Sequence, residues 1–562
     1  MFSRREFLQV SAAAGALLGG TSLLRPAAAQ QSITQDDLLA FDPVGNVTLL
    51  HVTDIHAQLV PVYFREPSVN LGVGEVAGLP PHITGKEFLS TFDLTPGSYK
   101  AYSMASTDFL ALAKEYGRIG GMDRMATLVN AIRAERPTQT LFLDGGDTWQ
   151  GSYTSLQTQG EDMVRVMNAM KTDAMTAHWE FTYGTERVEE LIDQMDFPFL
   201  AANVRDTDWE EPVFESTSYF ERGGVKVAVI GQAFPYTPIA NPRYMIPSWS
   251  FGIREKELQE RVDEARAEGA GLVVLLSHNG FDVDRKLASN VTGLDVVLTG
   301  HTHDAVPEAI KVGKTLLIAS GSHGKFLSRL DLDIRDGEVK DFRYRLIPVL
   351  SDVIAPDPEM AAVIKDVRAP YEADVNRVLG KTESLLYRRG NFNGTFDDLI
   401  CDALLSERDA QIALSPGFRW GATLLPGQDI TVDDVYNMTA ITYPNAYRNE
   451  MTGQMLKDIL EDVADNLFNP DPYYQQGGDM VRVGGMGYRI DPTKAIGSRI
   501  SDMTLLSSGA PIDPSASYVV AGWASVNEGT EGPPIYDVVS DYIEKAGTVA
   551  VKQNDSVKIV GI

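Results

Sequence analysis

Between residues 47 and 319 short apolar, β-branched runs alternate with amphipathic stretches, and that alternation predicts buried strands separated by helices. The runs are Val47 to Val52, Thr140 to Leu143, Phe199 to Val204, Val225 to Ile230, Leu272 to Leu276, Val296 to Leu298 and Thr315 to Ala319. Between them, Asp123 to Arg136 sets Met125, Leu128, Val129 and Ile132 on one helical face, and Glu255 to Glu268 reads as a charged helix with a solvated face. Strands that are apolar throughout belong to a sheet covered on both sides, so the fold class is a layered α/β domain. From about residue 61 to 114 the period is lost among Pro, Gly, Ser and aromatic residues. This marks an irregular insertion, which would cap the site, dock a partner or lie as a disordered surface loop.

The same pattern divides the chain. Residues 30–350 form the layered unit, and 380–562, with Gly-rich turns at Gly477-Gly478 and Gly484-Gly485, form a second one. Pro356 and Pro358 punctuate the join, and 351–379 reads as a linker helix running from Glu359 to about Leu379. Residues 1–29 are of another kind: Ser3-Arg4-Arg5-Glu6-Phe7-Leu8, a small apolar run from Val10 to Leu24 and then Pro26-Ala27-Ala28-Ala29. They resemble a twin-arginine signal cleaved after Ala29, which implies a periplasmic protein exported in its folded state. The apolar run is shorter than the ~20 residues a membrane span needs, so no membrane anchor is expected in the mature chain.

Charge and cysteine content narrow the function classes. With 49 basic against 77 acidic residues the net charge is −28, and −30 once residues 1–29 are removed. Such a surface repels a phosphate backbone, which argues against nucleic acid as a partner. The single cysteine, Cys401, leaves no intramolecular disulfide, thiolate zinc finger or iron–sulfur cluster for this chain to build. Its place in Leu399-Ile400-Cys401-Asp402-Ala403-Leu404 reads as a buried small hydrophobe.

Polar residues gather where the apolar runs end: Asp54-Ile55-His56, Gly145-Gly146-Asp147, Ser277-His278-Asn279-Gly280 and Gly300-His301-Thr302-His303, with His178-Trp179-Glu180 on a loop after a helix. In an open α/β sheet these ends converge on one crevice, which brings together two carboxylates and five of the chain's eight histidines. Nitrogen and oxygen donors without sulfur suit Mn, Zn, Fe or Co. On an extended chain, residues i and i+2 point to one side, so Asp54 with His56, and His301 with His303, would each chelate one ion. Seven candidate ligands exceed what one ion takes, and a bridging Asp147 makes a dinuclear centre the economical reading. His51 and His82 read as structural, whereas His323 and Lys325 either border the metals or order a loop.

These ordered motifs resemble the calcineurin-like metallophosphoesterase superfamily in its 5′-nucleotidase branch. Ser415-Pro416-Gly417-Phe418-Arg419 and Gly427-x-Asp429-Ile430-Thr431 extend the likeness into the C-terminal half. The resemblance implies a four-layer αββα sandwich followed by an α/β substrate-binding domain. It also implies one ion on Asp54, His56, Asp147 and His303 and a second on Asp147, His178, His278 and His301. Two departures stand out. Where nucleotidases carry Gly-Asn-His-Glu this chain has Ala177-His178-Trp179-Glu180, so an indole replaces the histidine that supports the leaving alkoxide. Of the two base-stacking aromatics, Tyr443 matches one, but Met480 is expected at the other, which dismantles the nucleobase clamp.

Both departures are similar to one subfamily, the dimanganese thiosulfohydrolases of periplasmic sulfur oxidation, SoxB. That likeness implies two Mn2+ ions, with zinc as the alternative, and a substrate carried as cysteine-S-thiosulfonate on the arm of the carrier protein SoxYZ. Attack of a metal-bound hydroxide on the sulfonate sulfur would release sulfate and leave a persulfide, a weaker base than an alkoxide and so less in need of a proton. Asp147, His178, Trp179 and Arg419 would form the catalytic set. Arg448, Arg482 and Arg489 are the other arginines considered for the sulfonate oxygens. Two alternatives remain at this level, a periplasmic 5′-nucleotidase or cyclic phosphodiesterase and a non-catalytic metal-bearing subunit.

Overall fold

A computed structural model describes residues 33–392 and 394–561, so the twin-arginine reading lies outside the described residues. The apolar runs form two facing sheets. One has the order Glu338–Pro348, Phe326–Arg335, Val47–Val52, Thr140–Asp144, Ala174–Met175. The other runs Ile310–Val312, Thr315–Ala319, Val296–Thr299, Leu272–Ser277, Val225–Gln232, Thr217–Arg222. Val47, Leu49, Leu141 and Leu143 from the first meet Val227, Val229, Val274, Leu276 and Leu298 from the second in a core between them. The alternate residues of each strand face outward onto helices. Leu50, Val52 and Phe142 pack with Met125, Leu128 and Val129 of the helix Met122–Glu135, and Val273, Leu275 and Val297 pack with Leu258 and Val262 of Glu255–Ala267. The result is the four-layer αββα sandwich.

Three expectations need correction. Phe199 to Val204 is not a strand: its N–H groups turn to Met175, Glu215 and Gly231 in succession, three different partners, so no ladder forms. Of the three readings left open for the 61–114 insertion the disordered loop alone fails, since the segment is ordered, with short helices Gly85–Thr91, Tyr99–Met104 and Phe109–Tyr116 that bury Phe88, Tyr102, Phe109 and Leu112. The join at 351–379 is not one helix. Pro358–Arg368 packs on the first unit, Pro370 interrupts it, a single turn Glu372–Val375 follows, and Val378–Thr382 is already a strand paired with Asp429–Thr431.

The C-terminal unit is built on a sheet of order Tyr447–Thr452, Ser517–Gly522, Ile412–Gly417, Asp479–Gly484. Thr395–Glu407 and Ile535–Ala546 cover one face, where Cys401 is buried, and Gly453–Phe468 covers the other. The two units meet across the carboxyl ends of the first unit's strands. There Gly421 donates its N–H to His323, Asn437 pairs with Gln58, and Arg389 and Arg419 both donate to the Thr302 carbonyl. Among the described residues no helix is long and apolar enough to cross a membrane.

Candidate metal centre

Register places the strand ends level. Val52 pairs with Asp144, and Gln232, Ser277 and Thr299 lie side by side, so the residues that follow meet at one edge. Two donor clusters result, Asp54 with His56, Asp147 and His303, and His178 with His278 and His301, the donor atoms in each lying within 4.8 Å of one another. Asp147 joins them. Its Oδ2 lies 3.1 Å from His178 Nδ1, 3.5 Å from His278 Nε2 and 3.7 Å from His56 Nε2.

The backbone delivers these side chains differently from the extended-chain expectation. Asp54, His56, Asp147, His301 and His303 all adopt left-handed conformations, with φ between 51° and 74°. Such conformations are costly for non-glycine residues and concentrate at functional sites. Asp54 and His56 do reach the same cluster, but His301 and His303 are sent to different ones, which corrects the spacing-based reading that they share an ion and agrees with the division that the family resemblance implied. The glycines that precede Asp147 allow the close approach. A Cβ on Gly145 would lie 2.5 Å from Thr53 Oγ1, and one on Gly146, whose φ is 87°, would lie 2.7 Å from the Thr176 carbonyl oxygen.

The donor set fits divalent ions. The ring N–H at Nδ1 of His278 is given to the Gly145 carbonyl at 2.6 Å, leaving the Nε2 lone pair turned toward Asp54 Oδ1 and Asp147 Oδ2, each 3.5 Å away. His56 Nε2 and His303 Nε2 face each other at 3.1 Å, with His56 Nδ1 held by the Gln150 carbonyl. Lone pairs turned on one another or on carboxylates repel unless positive charge lies between them. The electrostatics show the same demand for positive charge: burial pulls His278 down, but Asp54 and Asp147 outweigh it and raise it to about 9, so Nε2 holds a proton where no metal ion takes its place. Burial lowers His178 to about 4 and carries His56, His301 and His303 below the ordinary imidazole value, so these rings are neutral, the state in which they ligate metal.

A second layer orients the donors. Glu180 is fully buried and accepts the backbone N–H groups of Asp147, Thr148, Trp149 and His178, tying the Gly145–Asp147 turn to the His178 loop. Such partners fix ligand geometry. Glu180→Gln is therefore expected to weaken divalent-ion affinity by about 10–100-fold with the fold retained, read by competition with a chelating dye. Wild-type affinity in the variant would show the carboxylate to be dispensable. His323 is buried beside the rings of His56 and His303, accepts from Gly421 and lines the unit boundary. Lys325 pairs with Glu66 beneath the Phe64 ring. His51 is buried on Ser320, and His82 lies on Asp282 at 2.6 Å.

The C-terminal unit closes the site as a cleft of about 320 Å³ lined by five residues of the metal cluster (all but Asp54 and His278), Trp179, Phe418, Arg419, Trp420 and Gly477–Gly478. Trp179 is wedged into an aromatic group. It stands edge-on to Phe418 and Trp420, with centroids 5.2 and 4.9 Å away, and lies parallel to Tyr443 at 5.9 Å. Met480 is not in the cleft: it is fully buried in the core under Gly453–Phe468, which corrects its expected place in the clamp. Of the arginines considered, Arg419 alone lines the cleft, braced by the carbonyls of Thr302 and Gly478 at 2.8 and 2.6 Å. Arg448 and Arg489 are exposed, and Arg482 is buried against Asp397. Sequence reasoning missed Arg389, 2% exposed and donating to Thr302 beside Arg419; the Arg388-Arg389-Gly390 doublet was the only signal.

Residues 378–541 match the family of 5′-nucleotidase C-terminal domains. The bovine 5′-nucleotidase is 26% identical over 434 residues, spanning 69% of this chain and 73% of its own length, and a cobra venom 5′-nucleotidase is 27% identical over 321 residues, 51% and 59% of the two chains. A structure of the sulfate thiohydrolase SoxB from Thermus thermophilus is 38% identical, covering 93% of this chain and 98% of that one, with a TM-score of 0.90. The chain belongs to the 5′-nucleotidase family, in its SoxB branch. A 5′-nucleotidase precursor from Thermus thermophilus shares the fold at 22% identity, 92% and 100% coverage and a TM-score of 0.72. Family members are metallophosphoesterase-type hydrolases, and in this SoxB-branch chain the clustered His and Asp donors provide for two ions.

Proposed function

We propose that the chain is a periplasmic sulfohydrolase that removes sulfate from a cysteine-S-thiosulfonate carried on the arm of a SoxYZ carrier protein. The observation that carries this reading is Trp179, an indole packed among Phe418, Trp420 and Tyr443 at the position where nucleotidases hold a proton-shuttling histidine. Trp179 cannot pass a proton, so the site suits a leaving group that departs as an anion. A persulfide does so and a nucleoside alkoxide does not. Two manganese ions, with zinc as the alternative, would be held by Asp54, His56, Asp147, His178, His278, His301 and His303 and would supply Lewis acidity and an activated water.

The chain's own residues account for the rest. Arg419, fixed at two of its nitrogens by carbonyls, presents a rigid guanidinium at the cleft, and this geometry suits a tetrahedral oxyanion. The aromatic wall of Trp179 and Phe418 excludes water from one side of the substrate and gives a flat surface along which a peptide arm can lie.

The deciding experiment measures inorganic sulfate released from a carrier loaded with cysteine-S-thiosulfonate by the metal-replete protein, with AMP as the parallel substrate. Sulfate release is expected, with AMP turnover lower by at least ~10²-fold, the range that general acid catalysis contributes. AMP turnover without sulfate release would make the chain a nucleotidase with an unusual site. Carrier binding with neither activity would make it a binding subunit.

A further inference from the structure

Two small cavities adjoin the metal cleft. His301 and Arg419 line both the cleft and a cavity of about 40 Å³ that extends to Leu71, His82 and Asp282. His303 lines both the cleft and a second cavity of about 30 Å³ that extends to Glu66 and Thr84. Asn70, Pro81 and Asp304 line both small cavities, so the two share a wall. A water molecule needs about 10–15 Å³ of such space, and each cavity therefore has room for two.

The walls are suited to water. Arg389 Nε and Nη1, His303 Nδ1, Asn279 Oδ1 and Asp282 Oδ1 have no hydrogen-bond partner in the protein, although all four residues are more than nine-tenths buried; Arg389 Nη1 and Asp282 Oδ1 keep only longer ion pairs, to Asp479 at 3.9 Å and Arg285 at 3.7 Å. Each borders one of these cavities. Buried polar atoms are rarely left unpaired, and where protein does not serve them ordered water does; cavities that stay dry are apolar. Leu71 and Thr84, both only half-buried, mark where the two cavities approach the surface of the 61–114 insertion.

We propose that these cavities form a water passage that supplies the metal cleft while a substrate arm fills its mouth. The inference rests on the carrier reaction proposed above. In that reaction R–S–S–SO3⁻ + H2O gives R–S–S⁻ + SO4²⁻ + 2H⁺: the bond between sulfonate sulfur and sulfane sulfur breaks, its electron pair leaves with the persulfide, and the new S–O bond comes from water. Each turnover consumes a water at a moment when the arm, lying between the Trp179 and Phe418 wall and the Gly477–Gly478 backbone, blocks the direct route. A separate passage resupplies it without release of the carrier.

Two measurements test this. In a crystal structure of the wild-type protein, ordered waters are expected from Leu71 and Thr84 to His301 and His303; cavities empty of density would overturn the proposal. The double variant Leu71→Trp, Thr84→Trp narrows the passage away from every metal-cluster residue. Its kcat on the sulfonated carrier is expected to fall about tenfold, while kcat on free cysteine-S-thiosulfonate, which leaves the mouth open, stays within about twofold. No loss on either substrate, or equal loss on both, would also overturn it. A wild-type protein that leaves the sulfonated carrier intact would instead remove the carrier reaction, with the waters still deciding whether the passage exists.

Discussion

If the proposed sulfohydrolase reaction holds, Asp147→Asn is expected to lower sulfate release by about 10³-fold or more and to reduce bound divalent metal from the about two ions that the site can hold to one or fewer. The Asp147 Oδ2 lies 3.1 Å from His178 and 3.5 Å from His278 of one cluster and 3.7 Å from His56 of the other, so a single carboxylate oxygen faces both. Asparagine keeps the volume and can still accept the Trp179 N–H that Asp147 Oδ1 receives at 3.1 Å, so the loop should hold its shape. What disappears is the shared negative charge. A metal clamp contributes several kcal/mol to transition-state stabilisation, and about 4 kcal/mol at 1.36 kcal/mol per decade is a thousandfold. Elemental analysis of the purified variant with a sulfate assay checks both parts. A variant that retains two ions and near wild-type turnover would show that Asp147 does not bridge.

Much of this site was legible because its residues follow apolar strands. Leu272 to Leu276 and Val296 to Leu298 are apolar at every position, and Val47 to Val52 is apolar apart from Thr48 and His51 and buried throughout, as a doubly covered sheet requires, and the first ligands follow within two residues of these strands. The hairpin Phe326–Arg335 with Glu338–Pro348 was not legible. Its charged residues Arg329 and Asp331 are buried and paired with each other, so the strand does not read as apolar. The helices of the 61–114 insertion span six to eight residues each, too short for a 3.6-residue period to emerge between Gly and Pro. Spacing alone misplaced His301 with His303, because their split depends on left-handed φ values of 74° and 59° that the residue types do not announce, whereas the family resemblance implied it. Met480 failed for a related reason: motif spacing locates a residue along the chain, whereas burial under Gly453–Phe468 is decided by which face of the strand Asp479–Gly484 it occupies.

Asp397→Ala is expected to destabilise the protein by about 3–5 kcal/mol, the largest stability loss we foresee for a residue outside the metal cluster. Asp397 is fully buried and faces two buried guanidinium groups, with Oδ1 2.8 Å from Arg388 and Oδ2 3.1 Å from Arg482. Truncation leaves both cations without this counter-charge in a low-dielectric interior, and uncompensated buried charge costs more than the pair contributed. Asp479 offsets this for Arg482 at 3.4 Å, but it is already shared with Arg389 and Arg419. Burial pushes the Asp479 carboxyl up, and the three arginines hold it below its ordinary value, so its contribution is present at neutral pH and is lost as acid carries it through its folded-state pKa. The consequence reaches the cleft, because Arg388 also donates to the Pro416 carbonyl at 3.0 Å, just before the Gly417–Arg419 turn that presents Arg419. Loss of Asp397 should therefore lower the denaturation midpoint and, in the proposed carrier reaction, raise KM for the sulfonated carrier, while metal content stays at its wild-type level. Chemical denaturation and carrier kinetics on the same preparation separate the two effects, and an unchanged midpoint would mean that Asp479 alone neutralises the cluster.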